Sequence, residues 1–302
     1  RAAWVHAFSK TRITYGLLTE SHSPMPSPSM PVRLRPFALF GVLVVALLYF
    51  SYPSALRLHN AGHFLLARPL YLISAVAGND RAQHNLATMH MEGEGGPYNP
   101  TAAAYWYARA ARQGSDLSAA SLGEMYLEGV GVDADPEKAI ALLEQAAGTG
   151  NEDSIILLGK LYSGDIDGVR KNGEKARDWY QQGAERNFPA AQYGLAKLLA
   201  SGELVPRNLP QAEFWYLKAA RRGHALAQLE LGLLYMNQRG STAGVKGAHV
   251  WLTEASRQKE TASEAQSHLS TLCRHNPALK CERAAQGPTL GALLPPSARR
   301  SL

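Results

Sequence analysis

Between residues 122 and 150, apolar residues return every three or four positions, and glycines interrupt the run. Leu122, Met125 and Tyr126 share one face of a first helix, with Gly123 allowing close backbone approach and Gly129 and Gly131 ending it. Asp135 and Pro136 then supply an N-cap and a first-turn proline for a second helix. That helix turns Ala139, Leu142, Leu143, Ala146 and Ala147 inward and stops at Gly150. One such hairpin cannot bury its own apolar face, so it requires copies of itself on either side.

The copies are present. Leu122 recurs as Leu86, Leu158, Leu195 and Leu231, at steps of 36, 36, 37 and 36 residues. The next residue is small each time: Ala87, Gly123, Gly159, Ala196 and Gly232. The second helix keeps the same step at Trp106, Leu142, Trp179, Trp215 and Trp251, followed by alanine pairs such as Ala110–Ala111 and Ala219–Ala220. These tryptophans read as packing residues, and five evenly spaced units predict an all-α fold, an α/α solenoid in which each unit touches mainly its neighbours.

The pattern resembles the Sel1-like repeat family, a relative of the tetratricopeptide repeats. The resemblance rests on the leucine and small-residue pairs with Tyr126, Tyr162 and Tyr235 in the first helices. Lys138–Ala139, Lys175–Ala176, Trp179–Tyr180, Trp215–Tyr216 and Trp106–Tyr107 carry the second helices. It covers roughly residues 67 to 260 and implies a right-handed superhelix that holds other proteins together, with no common reaction. The expected units are 79–116, 117–152, 153–188, 189–224 and 225–260 within an array over 79–260. A capping helix over 261–285 and a disordered tail over 286–302 follow.

Ahead of the array, the chain opens on arginine and passes through a proline- and serine-rich stretch, so residues 1–29 read as disordered or untranslated, with Met25 or Met30 the better start. A segment over 1–35 ending in Arg33 and Arg35 leads into the charge-free block 36–56. Its 21 residues suffice for a helix crossing a hydrocarbon core of about 30 Å, so a single transmembrane anchor is expected there. A cleaved secretory signal is the alternative. A short N-terminal tail places the repeats on the periplasmic side of an inner membrane. Residues 57–78 form a linker and half-repeat, a lone helix capping the first full hairpin.

Composition narrows the function. The net charge of +6 gathers at the ends: residues 1–36 and 273–302 each hold five basic residues and one acidic residue, leaving 21 basic against 23 acidic between them. A nearly neutral array without aromatic–basic alternation lacks the footprint of nucleic-acid binding. Chemistry-bearing motifs are sparse. Ser256 and Lys259 form a serine–lysine match without its companion motifs, so a β-lactamase-like, cell-wall-related enzyme is the least favoured reading. His59 and His63 stand four apart with no third ligand, and Asp165, Asp167 and Gly168 form a polar turn rather than a full calcium loop. No catalytic residue, cofactor, metal or small-molecule substrate is expected.

In the resembled family, first helices line the concave face. The stripes that avoid core positions are Asn85, Thr88 and Glu92; Ser121, Glu124 and Glu128; Leu157 and Lys160; Lys197 and Ser201; Glu230, Leu233 and Asn237. Acidic early and lysine-bearing in the middle, this surface suits a polypeptide partner. Cys273 and Cys281, the two cysteines of the chain, could form a disulfide or remain free thiols. The expectation is a membrane-anchored, non-catalytic scaffold in bacterial envelope assembly or regulation, with a secreted or periplasmic soluble repeat protein that binds host or envelope proteins as the alternative.

Overall fold

The computed structural model describes residues 47, 50–237, 242–277 and 279. The segment 1–35, most of the expected anchor, Cys281 and the tail 286–302 lie outside the described residues. The described chain is helical throughout: α1 (50–60), α2 (Phe64–Val76), α3 (Asp80–Glu92), α4 (Pro100–Ala111), α5 (Asp116–Glu128), α6 (Pro136–Thr149) and α7 (Glu152–Ser163). These are followed by α8 (Gly173–Glu185), α9 (Pro189–Ser201), α10 (Leu209–Arg221), α11 (Ala225–Met236), α12 (Thr242–Ala255) and α13 (Ala262–His275).

Each hairpin is closed by the same chemistry. The side chains of Asn99, Asp135, Asn172 and Asn208 accept from the backbone N–H three residues on and so cap the second helices. First helices end on left-handed glycines at Gly93, Gly129, Gly164 and Gly202. Within hairpins α3 packs on α4, α5 on α6, α7 on α8, α9 on α10 and α11 on α12, and every second helix also meets the next first helix. Buried side chains are therefore passed from unit to unit, and α13 covers α12 at the end of the array.

The slot between paired helices explains the small residue after each leucine. A Cβ on Gly159 would occupy the ring of Tyr180, one on Gly123 would meet Leu143, and one on Gly232 would meet Leu252. The large second-helix side chain that fills this slot is thus the residue after the tryptophan position. Tyr107, Leu143, Tyr180, Tyr216 and Leu252 are all buried, whereas Trp179 and Trp215 are only half-buried. Trp106 and Trp251 are buried as expected.

The helix α2 does not cap the array alone. Residues 50–60 are helical, and Ser51 and Ala55 are 2% and 0% exposed. Tyr52 and His59 set their rings 6.0 and 5.9 Å from Tyr71 of α2. The end of the apolar block therefore belongs to a packed hairpin, with α1 beside α2. No helix among the described residues is long and apolar enough to cross a membrane; residues 36–46, 48 and 49 of the expected span lie outside them.

Candidate polypeptide-binding face

First helices stand beside one another, α7 against α9 and α11 against α13. Between α3 and α5, His84 Nδ1 and Ser118 Oγ share a 2.9 Å hydrogen bond. Behind this wall runs a ladder of buried tyrosines from the second helices, whose hydroxyls surface among the first. Asn85 Nδ2 donates to the Tyr71 hydroxyl at 3.1 Å, and Thr88 Oγ1 and the Tyr107 hydroxyl lie 2.9 Å apart. Burial raises the phenol pKa of Tyr71, Tyr107, Tyr180 and Tyr216 above its ordinary value, so these rings are uncharged hydrogen-bonding groups.

None of the thirteen residues expected on this face is buried. Asn85 and Thr88 serve the tyrosine ladder, and Ser201 Oγ donates back to the Leu198 carbonyl. Leu157 and Leu233 lean partly into the core. The charged members form two acidic groups separated by lysines. Glu124 is held above the usual carboxylate range, first by burial and then by the negative charges of Asp153 and Glu128. Among the described residues no basic side chain pairs with it. Glu230 is raised likewise by burial and by Glu264, against the opposing pull of Lys197. Lys160 is exposed, and Lys197 Nζ pairs with Asp165 at 2.8 Å.

Residues that the sequence reading passed over also stand here. Tyr193 is half-buried, stacks on His224 at 4.7 Å and leans on Tyr216 at 6.0 Å. Burial pushes its phenol up to about 12, and Glu230, Asp165, Glu260 and Glu264 add to the effect. The pKa of His224 is lowered by burial. For the ladder the signal available in the sequence was Tyr beside Trp106, Trp179 and Trp215, because a buried phenol needs a polar outlet for its hydroxyl, whereas Tyr193 and His224 carried no such mark.

Other candidates resolve into structural roles. His59 ends α1 while His63 precedes α2, so the two share no helix face. His59 lies edge-on to Phe64, 3.8 Å from Glu94. His90 accepts from Arg68 at 2.8 Å and has its pKa lowered by burial and by that guanidinium. Asp165 is engaged by Lys197, and Ser256 Oγ donates to the Thr253 carbonyl at 2.8 Å. No cluster of three metal-ligating side chains occurs among the described residues. Cys273 lies in the last turn of α13, and Cys281 lies outside the described residues.

The sequence model of the Sel1 repeat matches residues 80–115, 117–151, 153–188, 189–224 and 225–259. The chain belongs to the Sel1 repeat family. A Sel1 repeat protein from Oxalobacter formigenes is 27% identical and superimposes with a TM-score of 0.64, over 77% of this chain and 94% of that one. The protective antigen c5321 of uropathogenic Escherichia coli, which displays an SLR fold, is 26% identical with a TM-score of 0.46, over 76% of this chain and 57% of its own. A putative Sel1 repeat protein from Klebsiella pneumoniae is 21% identical with a TM-score of 0.41, over 67% and 97%. No curated protein matches.

Sel1 repeats generally mediate protein–protein interaction and are generally non-catalytic. In this Sel1 array the packing continues upstream of the first matched repeat. Gly131 rests on the backbone of Pro100, at the start of the preceding second helix, and Gly95 rests in the same way on Phe64 at the start of α2. The hairpin α1/α2 therefore docks as a Sel1 unit does.

Proposed function

We propose that the chain is a membrane-anchored, non-catalytic scaffold whose first-helix face holds an extended polypeptide, positively charged where it crosses Glu92, Glu124 and Glu128. One observation carries the reading. The Glu124 carboxylate, exposed on this face, feels the like charges of Asp153 and Glu128, with no basic side chain pairing with it among the described residues. A cation brought by a partner relieves that cost, whereas an anionic ligand would deepen it. The lysines at 160 and 197 then meet acidic or polar partner groups further along, which fixes the direction of docking. Anchoring through residues 36–56 places the array on the periplasmic side, in envelope assembly or regulation. A disulfide between Cys273 and Cys281 fits that compartment and ties the segment after α13 to its last turn.

A photocrosslinker at Ser121 on the first-helix face, compared with one at Gln181 on the outward face, tests this in native membranes. The reading expects a polypeptide adduct from position 121, and several-fold less of it in a Glu124→Lys/Glu128→Lys chain. Equal yields from both faces, or a yield indifferent to charge reversal, would overturn it.

The burial of Ser51 and Ala55 favours one second reading. Only residues 36–49 of the apolar block remain before α1, and 14 residues match the apolar core of a cleaved signal better than a full span. A secreted or periplasmic soluble protein would then result. The intact mass of the natural product separates the two.

A further inference from the structure

The outward side of the second helices differs between hairpins. Leu65, Pro69, Leu72 and Val76 recur at the seven- and four-residue spacings that set them on one stripe of α2, and all four are exposed. Leu65 is 77% exposed, Leu72 45% and Val76 62%. The buried stripe of the same helix, Ala67, Tyr71, Ser74 and Ala75, lies opposite, so α2 presents apolar side chains both inward and outward. At the matching register α6 has Glu137, Ala141, Glu144 and Gly148, and α8 has Glu174, Asp178, Gln181 and Glu185. Those residues are exposed although α6 and α8 have neighbours on both sides. In α10 the same register holds Pro210, Phe214, Leu217 and Arg221, with Phe214 51% exposed, so single apolar residues occur there in internal hairpins, but among the described second helices α2 alone has all four positions apolar and exposed.

From these facts we infer that the outward stripe of α2 lies on the bilayer, at the boundary between headgroups and acyl chains. Charge agrees with that partner. The chain has no Asp or Glu between Glu20 and Asp80, while Arg33, Arg35, Arg57 and Arg68 fall within that interval. Arg57 and Arg81 are exposed on either side of α2, where they can meet anionic headgroups. The apolar block also runs directly into α1: residues 50–56 are its last seven, and Ser51 and Ala55 among them are packed inside the first hairpin. A chain anchored through 36–56 must then hold α1, and α2 with it, at the membrane surface.

The inference rests on the anchored reading, and one experiment separates their failures. The full chain is reconstituted in vesicles of phosphatidylcholine and phosphatidylglycerol, with benzoylphenylalanine replacing Leu65, Leu72, Glu137 or Glu174 in separate preparations. Illumination should yield phospholipid adducts at 65 and 72 several-fold above those at 137 and 174. A chain that cofractionates with vesicles yet shows no excess at 65 and 72 would overturn the surface contact and leave the anchor standing. Adducts at 65 and 72 to a second copy of the chain would overturn it in favour of self-association. A chain that fails to cofractionate with vesicles would remove both. As a second measurement, Leu65→Glu/Leu72→Glu should abolish the lipid adduct of a probe at Val76 without releasing the chain from the vesicles.

Discussion

The hairpins α1/α2 and α7/α8 are built on one register and face different surroundings. In both, a tyrosine on the second helix is buried, Tyr71 in one and Tyr180 in the other, and its hydroxyl points toward the first-helix wall. In α7/α8 the ring of Tyr180 fills the space left by Gly159 on one side and Gly194 on the other, and the outward stripe is Glu174, Asp178, Gln181 and Glu185. In α1/α2 the tyrosine is held from one flank by Tyr52 and His59, and the outward stripe is Leu65, Pro69, Leu72 and Val76. The difference separates two kinds of constraint. The inward register is set by what one hairpin must offer the next, and is nearly the same in every unit. The outward register is free of that demand, so its composition reports on the surroundings of each hairpin.

The largest effect expected from this contrast is on the inward register. Tyr180→Ala empties a slot closed by two glycines on different helices, and should cost about 3–5 kcal/mol. Because each unit is stabilised mainly by its neighbours, loss in the middle should lower the cooperativity of unfolding as well as its midpoint. Tyr71→Ala removes a ring that is equally buried but sits in the first hairpin, so unfolding should begin there while the units from α5 onward persist. Urea titration followed by hydrogen exchange distinguishes the two patterns. Identical global losses from both substitutions would show that the two hairpins are energetically equivalent.

A smaller effect concerns the face between the hairpins, where the sequence shows which residues face out but not how they interact. Glu230 has its pKa raised by burial and by Glu264. Its folded form therefore binds a proton more tightly than the unfolded chain, and that contribution is present below the ordinary carboxylate range and lost as pH rises through the raised value. Glu230→Gln should accordingly stabilise the array at about pH 7, by less than about 1 kcal/mol, and the gain should vanish at about pH 3, well below the ordinary carboxylate range, where the folded and unfolded forms of the native chain are both protonated. Paired thermal melts at the two pH values check the sign. A gain that persists in acid would mean that the carboxylate is not the cause.

The sequence made the repeat legible because its signal is redundant: leucine, small residue, tryptophan and alanine pair all return at one step, and any two of them locate a hairpin. The face was legible only in part. Stripes at helical spacing place Glu124 and Lys197 on the surface, but whether a charge is paired depends on neighbouring units, as Lys197 with Asp165 shows. The tyrosine ladder was hidden by the tryptophans beside it, since adjacent aromatics point in different directions and hydropathy does not say which one is inside. The first hairpin was hidden for another reason. Its first helix lies at the end of the charge-free block, and the apolar residues that bury α1 read in sequence like those of a membrane span.

The smallest expected effect is the most informative about the outward register. Leu65→Glu together with Leu72→Glu places carboxylates where α6 already has Glu137 and Glu144, and α8 has Glu174 with Gln181. Neither leucine is buried by its own hairpin, so no cavity opens and no polar atom loses solvent. The unfolding free energy of the detergent-solubilised chain should therefore change by no more than about 0.5 kcal/mol, the usual range for surface substitutions, and its melting midpoint should hardly move. A loss of several kcal/mol would mean that the leucines are packed against protein in the intact molecule, and the contrast between α2 and α8 would then concern the fold rather than its surroundings. An unchanged midpoint leaves the four apolar side chains without a structural task inside the array, which is the condition the bilayer contact of α2 requires.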